Sequence, residues 1–181
     1  MITKKIIFRN FNLKLNNDKI RKDLKLLLKE KNIIIKSLSP IYKDYYNKKI
    51  IQKFKNYLDV RIIGMGGSVL GAKSIYEFLK HKIKKNFSFI DNLSVNKELN
   101  NRKKKNLNLI VSKSGNTLET ISNINILIKK TDRNIFITEN KESYLSSLAH
   151  SLKDEIIHHN DFIGGRFSVL SEVGMLPAEL M

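Results

Sequence analysis

The stretch VSKSGNTLET, Val111 to Thr120, predicts the turn from a buried strand into a helix. An apolar run of mostly branched residues, 107–111, precedes it and is typical of a strand covered on both faces. Apolar residues recur at helical spacing after Thr117, and Asn116 followed by Glu119 resembles a capping box. We therefore expect a strand, a polar loop and a helix, in that order.

The polar loop in this stretch has the chemistry of a phosphate site. The first backbone N–H groups of a helix lack partners within the helix and carry the positive end of its dipole, so they favour an anion. The hydroxyls of Ser112, Ser114 and Thr117 and the ammonium of Lys113 can complete the set of donors. A turn and a cap would explain many loops of this composition. The density of donors favours a phosphate site here.

Composition limits the class of protein. A chain of 181 residues can form one domain with a substantial core. Lys and Arg number 34 against 17 Asp and Glu, a net charge of +17 that raises nucleic acid or an anionic membrane as partners. The lysines are spread through the N-terminal half among many Ile and Asn residues, which indicates compositional drift. We expect a small anionic ligand, with no nucleic-acid or membrane partner.

The chain contains no cysteine, which excludes disulfides, thiolate metal sites and cysteine nucleophiles. Its four histidines lack the spacing of metal ligands, and we expect them to be structural or solvated. We expect neither a metal nor a cofactor. No apolar run approaches the ~20 residues that span a bilayer, so a soluble cytoplasmic protein is the default expectation.

The rest of the pattern alternates strands with helices. Two helices, Asp18–Lys31 and Tyr42–Leu58, and short strands within residues 3–15 are expected first and define a mainly helical extension, residues 1–58. Strands are then predicted at 60–63, Phe87–Asp91, Leu107–Val111, Asn134–Thr138 and Glu155–His158, and helices at Val69–Lys80, Lys97–Lys104, Leu118–Lys130 and Ser143–Leu152. Alternation of this kind implies right-handed crossovers. The predicted fold class is therefore α/β, a three-layer αβα sandwich with a five-stranded parallel sheet.

A glycine-rich loop, Gly64-Met65-Gly66-Gly67-Ser68, follows the first predicted strand. It is not a dinucleotide-binding fingerprint, because Val69 stands where the last glycine belongs, and it lacks the lysine of a nucleotide P-loop. The glycines would let the backbone approach a ligand, although a tight turn capped by Ser68 remains an alternative. Ligands of parallel sheets bind beyond the carboxyl ends of the strands. We therefore expect this loop to meet the predicted phosphate loop.

A third motif, Gly164-Gly165-Arg166-Phe167-Ser168, follows the last predicted strand. The three motifs, in this order, resemble those of the glucose-6-phosphate isomerase family. The resemblance implies that residues 59–168 form the first of two sugar isomerase (SIS) domains, with a flavodoxin-like fold, in an enzyme that interconverts glucose 6-phosphate and fructose 6-phosphate. Residues 169–181 would begin the connection to a second SIS domain, and the full-length enzyme would be a homodimer.

The resemblance also implies roles for individual residues. The substrate phosphate would be surrounded by Ser112, Lys113, Ser114 and Thr117, and the remaining substrate-binding residues would be Gly67, Ser68 and Gly165. Arg166 would stabilise the enediolate. In the family the general base comes from sequence beyond the point that resembles Met181, so we expect this chain to be truncated and inactive alone. A set of apolar residues would then lack the second domain on which they would pack: Val169, Leu170, Met175, Leu176 and Leu180. A non-catalytic SIS module that binds or senses sugar phosphates is the alternative.

Overall fold

The computed structural model describes residues 17–30, 32–39, 41–93 and 106–181. Its strands are β1 (Asp59–Gly64), β2 (Asn86–Ile90), β3 (Leu107–Val111), β4 (Arg133–Thr138) and β5 (Glu155–His158). They form one five-stranded sheet in the order β2-β1-β3-β4-β5, and every neighbouring pair is parallel. This is the flavodoxin-like strand order. The predicted five-stranded parallel sheet is confirmed.

The helices of the described residues are α1 (Asn17–Lys29), α2 (Ile33–Ser37), α3 (Lys48–Phe54), α4 (Gly67–Leu79), α5 (Leu118–Leu127), α6 (Tyr144–Leu152) and α7 (Glu172–Leu180), with a 3₁₀ helix at Gly165–Leu170. Those from α3 to α7 cover the two faces of the sheet. Side chains of α3, α4 and α7 share one buried cluster with the sheet, and side chains of α5 and α6 share the other. The predicted three-layer αβα sandwich is therefore confirmed.

The central strand β3 shows why the sheet needs helices on both faces. All five of its residues are buried. Leu107, Leu109 and Val111 belong to the cluster with α4 and α7, whereas Ile110 belongs to the cluster with α5 and α6. This alternation follows from the two-residue period of a strand. Burial of each such side chain contributes about 1.5–3 kcal/mol, so the run 107–111 fixes the middle of the fold.

The N-terminal extension is less helical than predicted. The helix expected over Tyr42–Leu58 is reduced to α3, because Asn47 caps that helix by accepting a hydrogen bond from the Lys49 backbone N–H. The residues before the cap are held by side-chain bonds to α7: Tyr46 donates to Glu179 at 3.0 Å. The predicted helix Lys97–Lys104 and the short strands expected within 3–15 lie outside the described residues.

Helix α7 packs on the sheet domain. Leu176 and Leu180 are 0% and 1% exposed, so the expectation that they lack a packing partner is wrong for these two residues, whereas Leu170 is 50% exposed. They are buried in the cluster that also contains Ile62 and Val69. The division of the chain at residue 168 stays a prediction. None of the helices in the described ranges has the length and apolar character that crossing a bilayer requires.

A buried ion pair joins the end of β5 to α7. His159 Nδ1 lies 2.5 Å from Glu172 Oε1, and the two side chains are 2% and 0% exposed. Tyr42 of the extension donates to the other carboxylate oxygen at 3.2 Å. Burial raises the pKa of Glu172, but hydrogen bonds from His159 and from backbone N–H groups outweigh it and lower that pKa overall. The structural role expected for the histidines is confirmed at His159.

Candidate functional site

A cleft of about 390 Å³ opens at the carboxyl ends of β1 and β3. Its lining residues are Met65, Ser68, Val111, Ser112, Lys113, Ser114, Thr117 and Glu139. The glycine-rich loop and the predicted phosphate loop therefore meet, as expected from their positions after neighbouring strands. Of the described residues, no group of three or more His, Asp and Glu is placed to hold a metal ion.

Two hydroxyls converge at the start of α5. Ser112 Oγ and Thr117 Oγ1 lie 2.9 Å apart, and Ser112 is only 3% exposed. Thr117 is the N-cap residue, and its side chain makes no hydrogen bond to the first turn of the helix. Its hydroxyl, which pairs with Ser112, therefore lies beside the first turn of a helix, where backbone N–H groups favour an anion. This arrangement can receive a phosphate.

The capping box expected from Asn116 and Glu119 is wrong. Thr117 occupies the cap position, because the Asn116 side chain is used elsewhere: its Oδ1 accepts the Tyr144 backbone N–H at 2.9 Å. The neighbouring Gly115 has φ +66°, and a Cβ there would lie 2.1 Å from Ser143 Oγ. These contacts fix the phosphate loop against the N-terminus of α6.

The remaining polar side chains of the loop already have partners. Ser114 is exposed, and its Oγ accepts the Asn116 backbone N–H at 3.3 Å. The Lys113 ammonium lies 3.3 Å from Glu139 Oε1 and donates to the backbone carbonyl of Asp161. Lys113 thus lies in the cleft, but its charge is partly neutralised there.

Glu139 is a cleft residue that the sequence analysis missed. It also pairs with Lys141 at 2.8 Å, and its side chain is 11% exposed. Hydrogen bonds from Lys141 and Lys113 lower the pKa of Glu139, although burial acts in the opposite direction. The signal that could have found it is its position directly after β4, which matches the position of Ser112 directly after β3.

The glycine-rich loop begins α4, with Gly66 as the cap residue at φ +55°. Ser68 lies in the first turn, so the alternative in which it caps the helix is wrong, and its side chain lines the cleft. A Cβ on Gly67 would lie 2.2 Å from the carbonyl oxygen of Gly165. Only glycine permits this approach, which brings the first motif against the third.

Arg166 lies in the first turn of the 3₁₀ helix, beside the glycine-rich loop. Its backbone nitrogen is 3.1 Å from the position of a Cβ on Gly67. The residue is exposed, and it is not among the residues that line the 390 Å³ cleft. The structure therefore brings the backbone of the third motif to the site, while the Arg166 side chain faces solvent.

The strand order and the cleft at the carboxyl ends of the strands define a flavodoxin-like α/β domain with a ligand site at that edge of the sheet. Residues 47–181 match the family model described as Phosphoglucose isomerase. The chain belongs to the phosphoglucose isomerase family.

Curated relatives agree with this assignment, and a solved structure is similar in fold. The glucose-6-phosphate isomerase of Methanocaldococcus jannaschii is 35% identical over 150 residues, which is 75% of this chain and 37% of that protein. The glucose-6-phosphate isomerase of Prochlorococcus marinus (strain MIT 9515) is 37% identical over 172 residues, which is 83% of this chain and 32% of that protein. This chain thus spans about a third of the length of these relatives. A hypothetical protein from Thermus thermophilus has a TM-score of 0.64 at 23% identity, covering 90% of this chain and 43% of its own, and supports the fold.

Proposed function

We propose that this chain supplies the sugar-phosphate site of a glucose-6-phosphate isomerase, the aldose–ketose isomerase that interconverts glucose 6-phosphate and fructose 6-phosphate. The observation that carries the proposal is the pair of hydroxyls, Ser112 and Thr117, 2.9 Å apart at the start of α5 in the cleft. Membership of the family supports the substrate class. A homodimer of the full-length protein acting in the cytoplasm is part of the same proposal.

The phosphate would occupy the space between the two hydroxyls and the first turn of α5. A phosphate dianion needs several convergent donors, and each charge-assisted hydrogen bond contributes about 1.5–3 kcal/mol. Ser112 and Thr117 can turn their O–H groups from each other to the phosphate, and the helix N-terminus adds its backbone N–H groups. Lys113 adds a positive charge at the edge of the same cleft.

The sugar would extend from the phosphate toward the glycine-rich loop, where Ser68 lines the cleft and Gly67 contacts Gly165. Arg166 would turn from solvent toward the sugar oxygens. A fixed cation there would stabilise the negative charge that develops on the enediolate.

Transfer of a proton between C1 and C2 needs a general base within hydrogen-bond reach of the substrate carbon. Glu139 is the carboxylate that lines the described cleft, but it is paired with two lysines and its pKa is lowered. A carboxylate held in this way is a weak base. We therefore propose that the base comes from outside this chain, consistent with the greater length of the relatives.

The test removes both hydroxyls at once. Inorganic phosphate and 6-phosphogluconate are titrated into the wild type and into a Ser112→Ala/Thr117→Val variant. Because the two hydroxyls pair with each other, their joint removal should leave folding nearly unchanged. We expect affinity to fall by at least about 100-fold, from two bonds of about 1.5 kcal/mol or more each.

The matched control is Ser151→Ala, which removes an exposed hydroxyl that lies outside the cleft and donates to the Leu148 carbonyl within α6. Its affinities should equal those of the wild type. Equal affinities in the wild type and the double variant would refute the phosphate site. Binding without turnover in a protein of the relatives' full length would favour the sensing module instead.

A further inference from the structure

The ammonium of Lys113, a residue that follows β3, is held by groups that follow two other strands. It lies 3.3 Å from Glu139 Oε1, which follows β4, and it donates to the Asp161 carbonyl, which lies beyond β5. The backbones are tied as well, because the Glu139 N–H donates to the Lys113 carbonyl at 3.1 Å. Lys113 and Glu139 are therefore fixed side by side at the edge of the cleft.

The Glu139 carboxylate stands between two lysines of different exposure. Its Oε1 faces Lys113, whose side chain is 32% exposed, and its Oε2 lies 2.8 Å from the Lys141 ammonium, whose side chain is 67% exposed. The carboxylate itself is 11% exposed and lines the same cleft as Ser112 and Thr117. A negative charge thus lies where the proposed function requires a phosphate to bind.

We propose that Glu139 is the counter-anion of Lys113 in the empty cleft and releases that ammonium to the phosphate when a sugar phosphate binds, while Lys141 keeps Glu139 paired. This inference rests on the proposed function of the cleft. Carboxylate and phosphate compete for one ammonium, so the affinity for phosphate is set partly by the strength of the pair that must open. Glu139 acts through Lys113 and is a positioning residue.

Lys141 makes the exchange possible without leaving a charge unpaired. A mostly buried carboxylate that lost its only partner would be strongly destabilised. Glu139 has a second partner on its other oxygen, so it can give up Lys113 and remain neutralised. The two lysines therefore act differently: the Lys113 ammonium moves to the phosphate, and Lys141 keeps the Glu139 carboxylate paired and away from the phosphate.

The substitutions Glu139→Gln and Lys141→Gln should shift phosphate affinity in opposite directions. E139Q removes the competitor, and inorganic phosphate should bind about two- to fivefold more tightly, the range of exposed ion pairs. K141Q leaves Glu139 with Lys113 as its remaining lysine partner, and binding should weaken by a similar factor. Glu142→Gln is the matched control, because it removes the same charge from an exposed position of the same loop.

Isothermal titration with inorganic phosphate is run on the wild type, E139Q, K141Q, E142Q, Lys113→Gln and the double variants K113Q/E139Q and E139Q/K141Q. Each double-mutant cycle then separates the effect of the direct ion pair on phosphate affinity from the effect of the change in net charge. We expect the gain in E139Q to vanish when Lys113 is absent, and the loss in K141Q to vanish when Glu139 is absent. Unfolding midpoints measured without phosphate identify variants whose folding stability, rather than phosphate affinity, has changed.

Three results would overturn the inference. An E139Q variant that binds phosphate no more tightly than E142Q shows that Glu139 does not compete. A gain that persists in K113Q/E139Q shows that it arises from net charge alone. Failure of phosphate to bind both the wild type and E139Q overturns the proposed function itself, and the inference with it. Because K141Q changes an exposed side chain, it tests the inference even if E139Q does not fold: a phosphate affinity equal to that of the wild type would count against it in the same way.

Discussion

The buried pair of His159 and Glu172 predicts a large loss of stability on a single substitution, Glu172→Gln. His159 Nε2 lies 3.0 Å from the Ile163 carbonyl, so that nitrogen must donate, and Nδ1 lies 2.5 Å from Glu172 Oε1. The Glu172 carboxylate is therefore the charged hydrogen-bond partner of a buried ring. In E172Q that charge is lost, and the buried polar groups around it lose their charged partner.

The size of the effect follows from the burial of both side chains, which are 2% and 0% exposed. Removal of one partner from a buried pair costs about 3–5 kcal/mol. For a chain of this length about 2–4 °C accompany each kcal/mol, so the melting temperature should fall by roughly 6–20 °C. The Tyr42 hydroxyl and the Asn160 N–H, which both bond to the carboxylate, add to the loss.

The same pair predicts the direction of a pH effect. The pKa of Glu172 is lowered in the folded protein, so its contribution to stability is complete above the unfolded value of about 4.5 and is lost as the pH falls through the folded value. The wild type should therefore lose stability in acid. E172Q should show less of that loss.

Urea unfolding at pH 7 and in acid measures both effects. The control is Glu155→Gln, the same chemical change in a pair with Lys53, where the Lys53 and Glu155 side chains are 58% and 37% exposed. Exposed pairs contribute about 0–1 kcal/mol, so E155Q should resemble the wild type. If E172Q at pH 7 is no less stable than E155Q, the buried pair does not stabilise this fold and the reasoning is refuted.

Three further predictions test other parts of the structure. Burial, with Glu172 and Glu179 nearby, raises the pKa of Asp44 from 3.8 to about 6, so the folded protein binds this proton more tightly and loses stability as the pH rises between these two values. Asp44→Asn should therefore raise the free energy of unfolding at pH 7 by on the order of 1 kcal/mol after allowance for screening, and a less stable variant would contradict this. A Cβ on Gly71 would lie 2.7 Å from Val169 Cγ2 and 2.8 Å from Val169 Cβ, so Gly71→Ala should cost about 1–3 kcal/mol in unfolding experiments. Because Val169→Ala would keep that Cβ, adding it should recover little of the loss. The 181-residue chain should show far less than the enzyme median of about 10 turnovers per second in a coupled isomerase assay, and a rate near that median would place a base within it.

The sheet could be predicted because its signals are local. Apolar runs such as 107–111 and 134–138 must be buried on both faces, and the helical patterns between them imply parallel crossovers. The extension was harder to predict. Tyr42 and Tyr46 occur within a helical pattern, but their hydroxyls bond to Glu172 and Glu179, more than a hundred residues away. Such tertiary contacts overrode local propensity.

The candidate site was predictable as a set of donors but not as a pattern of contacts. The meeting of Ser68 with Ser112 and Thr117 follows from topology alone. The pairing of Lys113 with Glu139 could not be foreseen, because it depends on how loops after different strands fold over one another. The prediction that Asn116 caps α5 was wrong for the same reason, since its side chain accepts a hydrogen bond at the start of α6.

A crystal structure of this chain grown with glucose 6-phosphate tests the phosphate site most directly. We predict the phosphate at the start of α5, with its oxygens about 2.7–3.0 Å from Ser112 Oγ and Thr117 Oγ1. We also predict that the Lys113 ammonium moves from Glu139 to the phosphate, while Lys141 stays on Glu139. A sugar phosphate bound outside this cleft, or a cleft that stays empty at millimolar ligand while the chain is folded, would contradict the assignment.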